Sequence, residues 1–318
     1  MFKYDVTVII PVYNTEKYVA DAINSVLDQS LDSVEVIVVD DGSTDGSLQV
    51  LKGFGDKIRL ISKTNEGQGA ARNDALRIAN GEFVYFMDSD DLIGMDTLKT
   101  CVDRCRRDNL DFVFFDAISF GDGVEIDSSQ TWYDYHRAAY YQEVNDGCSV
   151  ALDMLRRGIY RCSVCMSLFR RQFLIENGIE FPVGIIHEDE YFSAMAYANA
   201  SRVCGIPEEF YRRRVRGNSV MTSSFSERNL EGYLKTLELM EPLSTTRQRK
   251  KLVRELSKAF VHSVMYNSWK LPVATRFRAA RRIAARCPYA VKLMPFLSML
   301  FKKPVRSLLP SGLSSSGS

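Results

Sequence analysis

No run of 18 or more apolar residues occurs in the 318-residue chain, so no membrane-spanning helix is expected. The first residues, Met1 to Asp5, lead straight into an apolar stretch with neither a basic head nor a cleavage site. No secretory signal is therefore expected. Seven cysteines, an odd number, read without such a signal as reduced thiols of the cytosol. Cys162 and Cys165 form a C-x-x-C pair, but no second pair stands at zinc-finger spacing and no histidine is near, which favours packed thiols. No Ser-His-Asp constellation is evident, and no internal repeat stands out. Acidic residues nearly vanish from one region: 241–310 holds 16 Lys plus Arg against 2 Glu, leaving 25 basic and 38 acidic residues elsewhere. A net charge of +1 thus hides an acidic body and a basic tail, and the tail points to an anionic surface. Nucleic acid is set aside by the acidic body and the lack of any nucleic-acid motif.

What is present is ordinary for a globular protein, with 46% hydrophobic and 25% charged residues, enough for one large domain or a domain with an extension. Val6 to Ile10 reads as a buried strand stopped by Pro11. Asn14 or Thr15 is placed to cap a helix with Val19, Ile23, Val26 and Leu27 on one face. Glu35 to Val39 is a second strand, followed by a helix capped by Ser43 or Thr44 and closed near Gly53 and Gly55. Ile58 to Ile61 is a third strand. Asn65 to Gly69 turns into a helix bearing Ala71, Ala75, Ile78 and Ala79. Four strands alternating with three helices in 90 residues specify parallel β-α-β units. Met95, Leu98, Val102 and Cys105 mark another helix, and 111–117 a further strand. From 120 to 160 the pattern loosens; its aromatic segment, Trp132 to Tyr141, reads as packing or as part of an acceptor pocket. A helix about 150–155 and an extended stretch, 163–169, resume the fold, and the chain is helical from about 225 to 300. Residues 311–318, rich in Ser and Gly, are expected to be disordered.

The fourth strand, Phe83 to Met87, runs directly into Asp88, Ser89, Asp90 and Asp91. Acidic groups at the C-terminal end of such a strand lie where open α/β sheets bind ligands. Neighbouring carboxylates repel one another, which invites Mg²⁺ or Mn²⁺ unless they form a solvated turn before the next helix.

Taken with what precedes it, this stretch resembles the nucleotide-sugar glycosyltransferases of family 2. The resemblance rests on Val8-Ile9-Ile10-Pro11-Val12-Tyr13-Asn14, then Val38 to Asp45, Asn65-Glu66-Gly67, Ala71-Arg72-Asn73 and Gly81-Glu82. It covers about 90 residues closely and reaches more weakly to about 222. It implies the GT-A fold, a Rossmann-like, mostly parallel sheet flanked by helices, with a helical C-terminal extension. It implies a catalytic domain over 1–224, with a donor-binding half to about 118 and an acceptor half beyond, then a basic helical region over 225–310. Pro11 and Tyr13 with Asp40 or Asp41 would receive a uracil base. Asn65, Gly67 and Arg72 resemble the second nucleotide-contacting loop, Arg72 reaching a phosphate or bracing Asp88. Asp88 and Ser89 fall on the nucleoside side, Asp90 and Asp88 on a Mn²⁺ or Mg²⁺ ion, and Asp91 on loop or sugar orientation.

His187-Glu188-Asp189-Glu190 resembles the family's acidic motif. It makes Asp189 the base, Glu188 its alternative or positioner, and His187 either a further metal ligand or a packing residue. The alternative for the cluster is a charged helix start favoured by the dipole. Within Arg212 to Ser219, Arg214 and Ser219 are candidates for the donor pyrophosphate, though which arginine serves is open. The resemblance implies inverting transfer from a UDP-sugar to a glycan or lipid-linked saccharide in surface-polysaccharide synthesis. Residues 271–310 would then lie on the inner face of the membrane, or form a packed subdomain or a dimer interface. Rival readings are transfer to polyprenyl phosphate and an inactive nucleotide-sugar-binding scaffold.

Overall fold

Uninterrupted Val and Ile runs, rather than alternating ones, are what a strand covered on both faces requires. Such runs build β1 (Tyr4–Val12), β2 (Val34–Asp40) and, with aromatics, β4 (Gly81–Phe86), whose inner residues are fully buried. β3 (Arg59–Ser62) completes the parallel half, one residue later than expected. In the computed structural model, which describes residues 2–123, 134–162, 164–215 and 225–291, these strands lie in the order β3-β2-β1-β4 and pair in parallel. Helices α1 (Val19–Leu27), α2 (Ser47–Lys52) and α3 (Gln68–Ile78) make the crossovers.

Two helix starts differ from expectation. The Thr15 carbonyl, not a side chain, accepts the N–H groups of Tyr18 and Val19, while the Thr15 hydroxyl donates to Ser89. At α2 it is Asp45 that accepts the Ser47 N–H, because Ser43 and Thr44 are bonded to Asn14. Met95 stands exposed, and α4 (Thr97–Arg107) begins beyond it.

The sheet continues as β7-β6-β8-β5, formed by β5 (Leu92–Ile93), β6 (Phe112–Gly121), β7 (Ser167–Arg170) and β8 (Val203–Val215). β7 is antiparallel to both β4 and β6, and β8 runs parallel to β6. A register shift around Asp116 turns its carboxylate to the N–H groups of Arg137 and Ala138. This anchors the aromatic segment, in which Tyr135 and Tyr141 are buried and Tyr140 is exposed, so most of what is described there is packing. α5 (Gly147–Arg157), α6 (Arg171–Glu176) and α7 (Glu188–Asn199) cover this half. α8 (Glu227–Met240), α9 (Arg247–Asn267) and α10 (Val273–Arg286) follow; α8 packs on α7, and α9 on α5 and α7. All seven cysteines are free. Among the described residues no helix is long and apolar enough to cross a membrane.

Candidate active site

The C-terminal ends of β1, β2 and β4 lie side by side in the sheet, at the edge where open α/β sheets bind ligands in a crevice. Pro11 is buried within β1, and Tyr13 just past it is 49% exposed, an aromatic face available to a ligand. Asp40 and Asp41 are both buried and both engaged. Asp40 accepts from the Ser43 N–H and the Ser62 hydroxyl, at 3.2 and 3.1 Å. Asp41 accepts from the N–H groups of Glu66 and Gly67, at 2.9 and 2.8 Å. Asp41 thereby holds the loop that carries Asn65, which is exposed. Gly67 adopts φ +91°, a conformation costly to any other residue, immediately before α3.

Arg72 on α3 is the link across the site. It is buried, donates to Asp88 at 2.7 Å and to Glu188 at 2.9 Å, and lies over the Phe181 ring. Burial works against its charge, but the surrounding acids, Asp88 foremost, hold its pKa above the ordinary arginine value. Asn73 next to it clasps the Phe181 backbone through both amide atoms. The loop after β4 and the start of α7, a hundred residues apart, are thus fastened to one helix.

Within that loop, Asp88 is partly exposed and Ser89 is buried against Thr15. The Asp90 carbonyl accepts from Arg214 Nε at 2.9 Å. Asp91 is buried and accepts from the Tyr211 hydroxyl at 2.5 Å and the Arg214 N–H at 2.6 Å. Burial, together with the charges of Asp90 and Asp88, pushes Asp91 up to about 8. Arg214 also stacks on Tyr18 and Phe120 and lies 3.7 Å from Asp21, so in this state it braces the loop. Ser219 lies outside the described residues. The Asp91–Tyr211–Arg214 lock escaped the sequence reading, because no local spacing announces a partner 120 residues away.

The donors at Asp88 and Asp90 are hard oxygens, and the acid-on-acid repulsion felt at Asp91 is what a divalent cation would relieve. Among the described residues no group of three His, Cys, Asp or Glu side chains is placed to hold a metal ion. His187 is not brought to these carboxylates: it stacks on Tyr233 at 4.1 Å, and its Nε2 lies 3.4 Å from the Asn229 amide. Burial lowers its pKa, and the contacts it makes here are with Tyr233 and Asn229.

Glu188, Asp189 and Glu190 form the first turn of α7. Glu188 is buried against Arg72, and burial together with Asp189 raises its pKa. Asp189 is partly buried. Burial raises its pKa most; Arg72 pulls it down and Asp88 pushes it up, so both groups lie within electrostatic reach of it. An acid of raised pKa, with no ion pair among the described residues and within electrostatic reach of Asp88, can in its carboxylate form take a proton from a hydroxyl brought beside it.

A model of glycosyl transferase family 2 matches residues 7–178. Glycosyltransferase GlyA of Streptococcus pneumoniae is 29% identical over 223 residues, which cover 68% of this chain and 31% of GlyA; the chain spans about a third of that relative. The putative glycosyltransferase EpsH of Bacillus subtilis is 28% identical over 297 residues, 89% of this chain and 83% of its own. TarS of Staphylococcus aureus, a poly(ribitol-phosphate) β-N-acetylglucosaminyltransferase, is 31% identical over 230 residues, 69% of this chain and 37% of TarS. The crystal structure of TarS 1-349 in complex with UDP-GlcNAc matches with a TM-score of 0.68 at 25% identity, covering 90% of this chain and 84% of that one.

Proposed function

The chain belongs to glycosyl transferase family 2 and has the GT-A fold, and on that premise we propose that it is an inverting, metal-dependent transferase of a UDP-linked sugar. It is a glycosyltransferase related to the transferases of cell-wall polysaccharide. The acceptor in our reading is a hydroxyl of a glycan or lipid-linked saccharide at the inner face of the membrane, and the catalytic domain spans about 1–224. The observation that carries the reading is the Arg72 bridge, which ties Asp88 and Glu188 into one ion-paired chain with Asp189 beside them.

Inversion needs one in-line displacement and therefore one base. Asp189 takes the proton of the acceptor hydroxyl as its oxygen attacks the anomeric carbon and the bond to the diphosphate breaks. Glu188, neutralised by Arg72, holds the first turn of α7 in position. Tyr13 offers its ring to the base of the nucleotide, and the loop clamped by Asp41 brings Asn65 and the Gly67 backbone to it. Asp88 and Asp90 would hold a divalent cation, whose charge offsets that of the departing diphosphate when it is bound. The UDP bound by TarS supports the choice of nucleotide.

The test is turnover of a panel of nucleotide-sugars with Mn²⁺. One UDP-sugar should be consumed, and Asp90→Ala should abolish the Mn²⁺-dependent part. Unchanged activity in that variant would remove Asp90 from the metal.

A further inference from the structure

Among the described residues Asn14 is one of three other than glycine held at positive φ, at +54°. An L-residue there brings its Cβ close to the following carbonyl, and asparagine is among the few that tolerate it. Asn14 is exposed, so burial does not impose the conformation. Hydrogen bonds hold it instead. The Thr44 N–H donates to Asn14 Oδ1 at 2.7 Å, Asn14 Nδ2 donates to the Thr44 hydroxyl at 3.2 Å, and the Asn14 N–H donates to the Ser43 hydroxyl at 3.2 Å.

The next two residues are fastened to the same loop. The Thr15 N–H donates to the Ser47 hydroxyl at 2.9 Å, and the Glu16 N–H to the Asp45 carboxylate at 3.1 Å. The Glu16 carboxylate in turn accepts from the Gly46 N–H at 3.0 Å. The turn after β1 and the turn after β2 are thus zipped together, 14–16 against 43–47. On the strand side, Val12 pairs with Asp40 in the sheet, and its carbonyl accepts the Asp41 N–H at 2.8 Å.

Tyr13 stands between these two fixed neighbours with 49% of its surface exposed. A half-open ring is directed mainly by the Cα–Cβ bond of the backbone that carries it. Val12 sets that bond from one side and Asn14 from the other. Two side-chain torsions then remain to be ordered when a planar base stacks on the ring, and a smaller ordering cost means tighter binding.

We propose that Asn14 is a positioning residue for the nucleotide: its left-handed backbone and its clasp on Ser43 and Thr44 orient the Tyr13 ring for the base, and Asn14 itself does not touch the ligand. The inference rests on the reading of Tyr13 as the surface that receives the base. The diphosphate falls to other groups in that reading, the cation held by Asp88 and Asp90, so the influence of Asn14 is confined to the base.

The test is calorimetric titration of the full chain, with Mn²⁺ present, by UDP and separately by inorganic pyrophosphate. Asn14→Ala loses the clasp and strains the turn. It should weaken UDP binding by about tenfold, within the usual worth of one base–aromatic stack, and leave pyrophosphate binding unchanged. Asn14→Asp keeps the acceptor for the Thr44 N–H and tolerates the same φ, so it should recover most of the affinity. Tyr13→Ala should lose at least as much as Asn14→Ala. In the double variant the cost of the Asn14 change should vanish, because two residues acting through one ring are not additive. Should Asn14→Ala not fold, Asn14→Gly takes the turn without steric cost, lacks the clasp and carries the same cycle. The proposal is overturned if Asn14→Ala binds UDP as the wild type does, or if UDP and pyrophosphate weaken together. It is equally overturned if the two losses add in the double variant, which leaves Asn14 as a strut of the loop. Failure of the underlying reading is distinguishable: unchanged UDP binding by Tyr13→Ala removes the ring from the base, whereas a loss there with none in Asn14→Ala removes the positioning role alone.

Discussion

Arg72 and Asp189 divide the work that a sequence motif lumps together. The arginine is charged, buried and ion-paired to two acids, so it contributes position, whereas among the described residues Asp189 forms no ion pair and its pKa is raised. A carboxyl whose folded pKa is raised keeps its proton to higher pH than the free residue, whose ordinary value is 3.8. Any stability it confers is present below that value and is lost as pH rises through the folded pKa, while the basic form needed for transfer appears over the same window. The acid limb of kcat/KM should therefore lie above the range of an exposed aspartate. Asp189→Asn should lower transfer by about a hundredfold or more, the usual worth of a positioned base, while UDP-sugar binding by calorimetry is retained. Transfer near the wild-type rate would exclude Asp189 as the base.

The start of α7 is shaped by a helix that follows it in sequence. α8 opens with a capping box between Ser226 and Asn229, and the Asn229 amide then lies beside His187 while Tyr233 stacks on the imidazole. Gly232 faces the Ile186 backbone so closely that an added Cβ would overlap the Ile186 carbonyl. In an exposed helix interior, Gly→Ala stabilises by about 1 kcal/mol. At Gly232 the sign should reverse: Gly232→Ala should lower the urea midpoint and, by displacing the residues just before Glu188, lower kcat more than it raises the donor KM. A stabilised variant with unchanged kcat would show that α8 does not set the acidic turn.

None of this was visible in the sequence, because Gly232 and Ile186 meet only in the fold. The parallel half was legible for the opposite reason: β1, β2 and β4 are continuous apolar runs whose ends carry Pro11, Asp40 and Asp88. The second half was legible only in part: the strand expected at 111–117 and the extended stretch at 163–169 fall on β6 and β7. β7 has only four residues, and the outer part of β8 is a row of arginines, neither of which carries a burial pattern. The helix starts misread near Thr15 and Thr44 fail for a shared cause, since hydroxyls that could cap locally are bonded across the crevice instead.

The contrast between acidic body and basic tail is real in sequence, but the fold decides how much of it faces outward. Arg282 and Arg286 are spent on Glu231 and Glu238 of α8, so their charge joins two helices rather than meeting a partner. Arg278 and Arg281 are exposed on α10, as are Val273 and Phe277, and that face combines positive charge with apolar surface. Each such basic residue near an anionic bilayer adds on the order of 1 kcal/mol, falling within a Debye length. If the tail docks on the inner leaflet, the protein should float with phosphatidylserine liposomes at low salt and release as salt is raised. Arg278→Glu with Arg281→Glu should abolish flotation, while Arg282→Glu should instead lower the melting temperature by breaking the α8–α10 pairing and leave flotation largely in place. Flotation that is indifferent to the first pair would assign this face to protein packing. The remainder of the expected docking segment, 292–310, lies outside the described residues, so these two arginines carry the test.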